Sequence, residues 1–140
     1  SLVGAEMCIR DRYTKAYSRL SGLKLSGDDK QLYNKLSVLA SVSGKYDAYK
    51  SFSDSGYVTM AADSLVCAAG RCAVNADNAK EYGCELQLEQ LKNIISDTLS
   101  SQYGLSYDDA IALYNIDDRD DYTLALTQKL NELGIKEETK

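Results

Sequence analysis

The sequence contains no histidine, no proline and no tryptophan, and it has a single phenylalanine among its 140 residues. Without histidine it lacks the commonest general base at neutral pH and the commonest zinc ligand, so catalytic triads, Cys-His dyads and histidine-based zinc sites are excluded within it. It also contains no P-loop, no dinucleotide fingerprint and no Gly-x-Ser-x-Gly motif. We therefore predict no catalytic residues, no cofactor, no metal site, and no enzymatic activity for this stretch of chain.

The charge distribution is acidic overall, with a formal net charge of −5 at pH 7. Lysines are scattered singly, whereas neutralising nucleic-acid phosphates requires clustered Lys and Arg. No run of residues approaches the roughly 20 apolar residues that a membrane-spanning helix needs. The sequence thus predicts neither nucleic-acid binding nor a membrane-spanning segment.

Residues 1–12 (SLVGAEMCIRDR) do not resemble ordinary protein sequence. Residues 7–11 (MCIRD) resemble the translated end of a tagmentation transposon, and residues 1–6 resemble the adaptor arm before it, with Ala5 in place of the usual Ser. The resemblance implies an adaptor-derived artefact over 1–12, which has to be set aside before the fold is considered. We expect native sequence to begin near Tyr13, and the chain to be the C-terminal part of a larger protein.

Three cysteines remain once Cys8 is set aside: Cys67, Cys72 and Cys84. An odd number at irregular spacing is not a disulfide framework. Cys67 and Cys72 lie five residues apart, which places them on different faces of a helix. We interpret them as small buried side chains. A disulfide from Cys84 to either of them stays open, and it would imply an oxidising compartment.

Apolar residues recur every three or four positions over almost the whole chain, which predicts an all-α fold. We expect five or six helices packed as antiparallel hairpins, either tetratricopeptide-like or an irregular bundle. They form one domain over 13–134, followed by a frayed tail over 135–140. The first helical stripe begins at Tyr13 and ends before Gly22. A capping-box-like start at Ser26 and Asp29 then opens a long helix over 28–53, with a break at Ser43-Gly44 as the alternative.

A second long helix is predicted over 57–75, with apolar residues on two faces, one of which carries Met60, Cys67 and Val74. We expect other helices to cover both faces, which places this helix at the centre of the fold. Asp77 is predicted to cap a short turn up to residue 82, and the next helix to end near Gln102, before Gly104.

Two acidic segments predict the starts of the last helices. Ser106 and Asp109 have capping-box spacing, and Asp117 or Asp118 caps the final helix, which ends at Gly134. The acidic run 117–121 lacks the alternating ligands and the central Gly of a calcium loop. We interpret it as stabilising the positive end of that helix.

Eleven tyrosines are present, and several surround the single phenylalanine. Tyrosine is enriched at protein interfaces, so we predict a partner-binding surface. Packing at the edge of the core is the alternative. The candidate residues are Tyr46, Tyr49, Phe52 and Tyr57.

The segment Gly-Tyr-Val-Thr-Met-Ala at 56–61, followed by Leu65, resembles the second helix of a tetratricopeptide hairpin. Ala48, Tyr49 and Phe52 sit at the offsets that the motif uses on its first helix. The match covers about one repeat, lacks the Trp and the closing Pro, and has no second copy at a period of 34 residues. The resemblance implies an antiparallel helical hairpin.

These observations favour a non-catalytic helical protein-interaction or structural module of a truncated protein. The amino-acid usage is typical of a low-GC bacterial source. The alternative is a regulatory or structural C-terminal tail of an enzyme or membrane-anchored protein whose N-terminal part is missing. The partner would be another protein or another domain of the same polypeptide. A cytoplasmic location and tethering to a membrane by a missing upstream segment both stay open.

Overall fold

A computed structural model of the chain describes residues 28–135, and the structural statements that follow refer to them. This part contains six α-helices and no strand: α1 (Asp28–Asp54), α2 (Val58–Val74), α3 (Ala76–Tyr82), α4 (Glu85–Thr98), α5 (Tyr107–Tyr114) and α6 (Arg119–Glu132). A π-helical turn, Leu99–Tyr103, follows α4 directly. The prediction of an all-α fold is confirmed. The adaptor-like residues 1–12, the stripe that begins at Tyr13, the start at Ser26 and residues 136–140 lie outside the described residues.

Helices α1 and α2 form an antiparallel hairpin, the most extensive helix pair in the described part of the chain. The connecting turn uses Gly56 at a φ of +81°, a conformation that only glycine adopts without strain. Helix α1 runs unbroken through Gly44, so the alternative of a break at Ser43-Gly44 is wrong. The reason is that Ser43 is fully buried against the rest of the fold, and packing of this kind outweighs the roughly 1 kcal/mol that one glycine costs a helix.

Helix α2 lies at the centre of the described fold, as predicted, because it packs against all five other helices. The residues predicted for the second buried face of α2 were wrong, since Met60 and Val74 are 48% and 66% exposed. The second buried face is formed instead by Ala62, Val66 and Ala69, which share a side of the helix at spacings of four and three.

The ends of the shorter helices follow local capping rules. Ser106 and Asp109 form the predicted capping box, with Asp109 N–H donating to Ser106 Oγ at 3.0 Å and Ser106 N–H donating to Asp109 Oδ2 at 3.2 Å. Of the two candidates for the final cap it is Asp118 that accepts from a backbone N–H of α6. The prediction for Asp77 was wrong, because α3 begins directly after Asn75 and Asp77 lies within its first turn.

The boundary at Gly104 agrees with the sequence, whereas Ile135, the first residue of the tail predicted to fray, is packed against the core. Gly104 ends the π-helical turn in the left-handed conformation. After α6, the N–H of Ile135 donates to Leu130 O at 3.0 Å, and the Ile135 side chain is half-buried. Within 28–135 none of the helices combines the length and the apolar character that crossing a lipid bilayer demands.

Candidate functional site

Two of the four aromatic residues predicted to bind a partner lie in the core. Tyr46 and Tyr49 are only 4% and 5% exposed. Their rings pack 5.5 Å apart, and Tyr49 meets Tyr103 edge-on at 6.4 Å. Burial, and next the neighbouring Tyr49, raise the pKa of Tyr103 above its usual range. For Tyr46 and Tyr49 the structure therefore shows packing within the core and no open groove.

A hydrogen bond fixes the buried Tyr46 ring against α4. Thr98 Oγ1 donates to Ile94 O at 2.8 Å, which uses the only proton of that hydroxyl. The Tyr46 hydroxyl, 3.0 Å from Thr98 Oγ1, is therefore the donor of that contact. The contact connects α1 with the last residue of α4, so Tyr46 has a structural role.

The other two aromatic residues lie together at the end of the α1–α2 hairpin. Phe52 is half-buried, and its ring meets Tyr57 edge-on with centroids 6.4 Å apart. The turn holds them there, because Tyr57 N–H donates to Phe52 O at 2.9 Å. Tyr57 is 52% exposed, and Met60, one helical turn further on, is exposed as well. We call Phe52, Tyr57 and Met60 the tip surface.

A second feature is an open cleft of about 330 Å³ formed by residues of α1, α2, α5 and α6 and of the segment between α5 and α6. Four charged side chains line it: Lys45, Asp63, Asp117 and Arg119. The remaining wall is made by Cys67, Tyr114, Ile116 and Tyr122. We call this the charged cleft.

Asp63 is the centre of the polar contacts in the charged cleft. Its Oδ1 accepts from the Tyr122 hydroxyl at 2.5 Å and from Cys67 Sγ at 3.9 Å. Burial, and then the hydrogen bond to Asp63, raise the pKa of Tyr122 above its usual range. Burial also raises the pKa of the Cys67 thiol, and the nearby Asp63 carboxylate adds to this. Both groups are therefore protonated at neutral pH.

No spacing in the sequence indicates this cleft directly, since Asp63 and Tyr122 lie 59 residues apart. The helical spacing of α2 does carry one signal. Asp63, Cys67 and Arg71 are spaced four residues apart, so they form one polar stripe along an otherwise Ala-rich helix. Arg71 completes the stripe by donating to Ser41 O of α1 at 3.2 Å.

A smaller cavity of about 310 Å³ lies between α2, α3, α4 and α5, with Cys72 and Leu88 among its lining residues. The Tyr107 hydroxyl donates to Ala69 O at 3.2 Å, and Lys92 Nζ lies 5.0 Å from the centre of the Tyr107 ring. Burial raises the pKa of the Cys72 thiol. A buried thiol that keeps its proton is a poor nucleophile.

The three cysteines of the described chain are all free thiols, so the disulfide from Cys84 that the sequence left open is not present in it. Cys72 and Cys84 are buried and Cys67 is half-buried. This agrees with their interpretation as small packed side chains. Between residues 28 and 135, no three side chains of the metal-binding types come together.

Comparison of the chain with models of protein families, with curated proteins and with solved structures finds no match.

Proposed function

We propose that this chain is a non-catalytic helical protein-interaction module that holds its partner at the tip surface. The partner is another protein or another domain of the same polypeptide. The observation that carries the proposal is the exposure of Tyr57 and Met60 directly beside Phe52, at the end of the α1–α2 hairpin. The tetratricopeptide-like resemblance of residues 48–65 belongs to the same proposal, because such hairpins serve in protein recognition.

The chemistry of the tip surface supports this role. Tyrosine and methionine are enriched at the centres of protein interfaces. Tyrosine brings a large ring with only two rotatable side-chain bonds, and methionine adapts to irregular partner surfaces. Burying the exposed halves of these two side chains contributes favourable free energy at about 25 cal/mol per Å² of apolar surface.

The residues around the tip surface are arranged as in a small protein interface, with polar groups surrounding an apolar centre. Asp54 and Ser55 are exposed next to it and provide a polar rim. The backbone bond from Tyr57 N–H to Phe52 O fixes the relative position of the two rings before any partner arrives. A preorganised surface loses less conformational entropy on binding.

The test compares three immobilised proteins in a lysate of the source organism, with bound proteins quantified by mass spectrometry. They are the unchanged chain, the double variant Tyr57→Ser/Met60→Ser, and the control Leu124→Ser, which removes another exposed apolar side chain on α6. We expect the double variant to lose captured proteins by about tenfold or more, equivalent to 1.4 kcal/mol. The control is expected to retain them.

Circular dichroism verifies that all three proteins are folded. An identical set of captured proteins in equal amounts for all three would refute the role of the tip surface. Substitutions of Tyr46 or Tyr49 do not serve this test, because both rings are buried and their loss lowers stability.

A further inference from the structure

The charged cleft holds two cations and two anions that are not paired with each other. No carboxylate lies within 4.0 Å of Lys45 Nζ or of the Arg119 guanidinium in the part of the chain that the structure describes. Lys45 and Asp63 are both half-buried, so each has lost part of its hydration without gaining an ionic partner. Charged groups withdrawn from water in this way are stabilised by an opposite charge.

From this arrangement we propose that the charged cleft binds a small zwitterionic molecule, with an amine and a carboxylate on a short apolar body. The proposal is independent of the tip surface. The net charge of the four lining groups is zero. A simple anion would therefore meet the carboxylates of Asp63 and Asp117, and a simple cation would meet Lys45 and Arg119. A molecule that carries both charges satisfies both pairs.

The two cations of the cleft recognise the carboxylate of the ligand. Lys45 is one helical turn beyond Ser41, and Cys67 is one turn before Arg71, which donates to Ser41 O. Because α1 and α2 are antiparallel, this register places Lys45 opposite Cys67. Burial and then the Asp63 carboxylate raise the pKa of the Cys67 thiol, and the positive charges of Lys45 and Arg119 act against them. Lys45 and Arg119 line the same cleft and supply the positive charge for the carboxylate of the ligand.

The amine is recognised by Asp63. Tyr122 and Cys67 both donate to Oδ1 of this residue. Its other oxygen, Oδ2, accepts no hydrogen bond within the described chain. A carboxylate offers about four acceptor positions, so Oδ2 is available to a ligand ammonium group. The hydrogen bond from Tyr122 fixes the orientation of the Asp63 carboxylate.

The size of the cleft limits the body of the ligand. A volume of about 330 Å³ is at the lower end of the range for small-molecule sites. Tyr114, Ile116 and Tyr122 provide apolar surface next to the charged groups. A ligand with a few carbon atoms between or beside its two charges fits this description.

The test uses L-leucine and L-alanine as zwitterionic probes, with isopentylamine and 4-methylpentanoate as analogues of leucine that lack one charge each. Binding to the full chain is followed by isothermal titration calorimetry and by NMR chemical-shift changes at millimolar ligand. We expect leucine or alanine to bind, and each single-charge analogue to bind at least about tenfold more weakly. Equal binding of either analogue, or no binding of either amino acid, overturns the proposal.

Variants locate the site. Lys45→Met keeps the length of the side chain without its charge, and Asp63→Asn keeps an acceptor for Tyr122. Each is expected to weaken amino-acid binding by about tenfold. The control Lys92→Met removes a half-buried lysine outside the cleft and is expected to leave binding unchanged. Unchanged binding in Lys45→Met, whose folding the NMR spectrum verifies, overturns the assignment to this cleft.

Discussion

We expect the substitution of glycine by alanine to have opposite effects at two positions in the long helices. An alanine Cβ at Gly70 of α2 would lie 2.1 Å from Cγ of Tyr114 and 2.2 to 2.4 Å from its ring Cδ atoms. At Gly44 of α1, nothing in the described chain beyond the glycine's immediate neighbours and its own helix backbone lies within 4 Å of the same added carbon. Gly70→Ala therefore tests the close contact between α2 and α5, and Gly44→Ala is its matched control.

The magnitudes follow from two opposing contributions. Alanine favours a helix over glycine by roughly 0.5 to 1 kcal/mol at either position. At Gly70 the added carbon meets the base of the Tyr114 ring, which cannot rotate away, so α5 has to shift by more than 1 Å from its present contact to an ordinary one. Overpacking of this kind costs about 3 kcal/mol. We expect Gly70→Ala to lower the free energy of unfolding by about 2 kcal/mol, and Gly44→Ala to raise it by about 0.5 to 1 kcal/mol.

Urea unfolding followed by far-ultraviolet circular dichroism measures both changes. A double-mutant cycle with Tyr114→Ala isolates the contact, because removing the ring should make Gly70→Ala neutral or stabilising. Equal stability of Gly70→Ala and the unchanged chain would refute the reasoning. So would a penalty of the same size in the Tyr114→Ala background.

Two further predictions concern a helix cap and the thiols. Ser106→Ala should cost about 1 kcal/mol, because it removes the cap of α5. Hydrogen bonds from the backbone and then the side chain of Ser106 lower the pKa of Asp109 in the folded state. Because the folded-state pKa is lowered, the stabilisation from the ionised Asp109 carboxylate is present above the unfolded pKa and is lost as the pH falls through the folded pKa. The backbone N–H of residue 106 remains in Ser106→Ala, so an NMR titration of Asp109 in this variant should show its pKa moving only part of the way back up. With Ellman's reagent, the half-buried Cys67 should react before the buried Cys72 and Cys84. These two thiols should react only when the chain unfolds. Fast reaction of Cys72 in the native protein would contradict its burial.

Local structure was largely predictable from the sequence because its signals act within a few residues. The capping box at Ser106 and Asp109 and the left-handed Gly104 depend only on neighbouring backbone groups. The helical periodicity likewise needs no knowledge of the partner helices. The π-helical turn at Leu99–Tyr103 had no such local signal.

Which side chains are buried and which are exposed depends on contacts between distant segments, and the sequence alone did not predict these contacts. Helix α2 has apolar residues on several sides, and only the positions of its neighbours leave Met60 in solvent while Val66 is buried. In the same way, four aromatic residues of similar character divide into a buried pair and the pair at the tip, which includes the exposed Tyr57. The charged cleft depends on the pairing of Asp63 with Tyr122, which no spacing rule relates.

The bond between Asp63 and Tyr122 has a consequence for the order in which the chain folds. The α1–α2 hairpin closes over a short turn, whereas α6 has to find α2 across 59 residues, so the loop entropy opposing its docking is larger. Helix α6 buries only Leu126 and Leu130, which favours its release by local unfolding before the central helix α2. Its amide hydrogens should therefore exchange with solvent earlier than those of α2. Because α6 supplies one wall of the charged cleft, a molecule bound there should slow the exchange of α6 more than that of α1 and α2, which form its other walls.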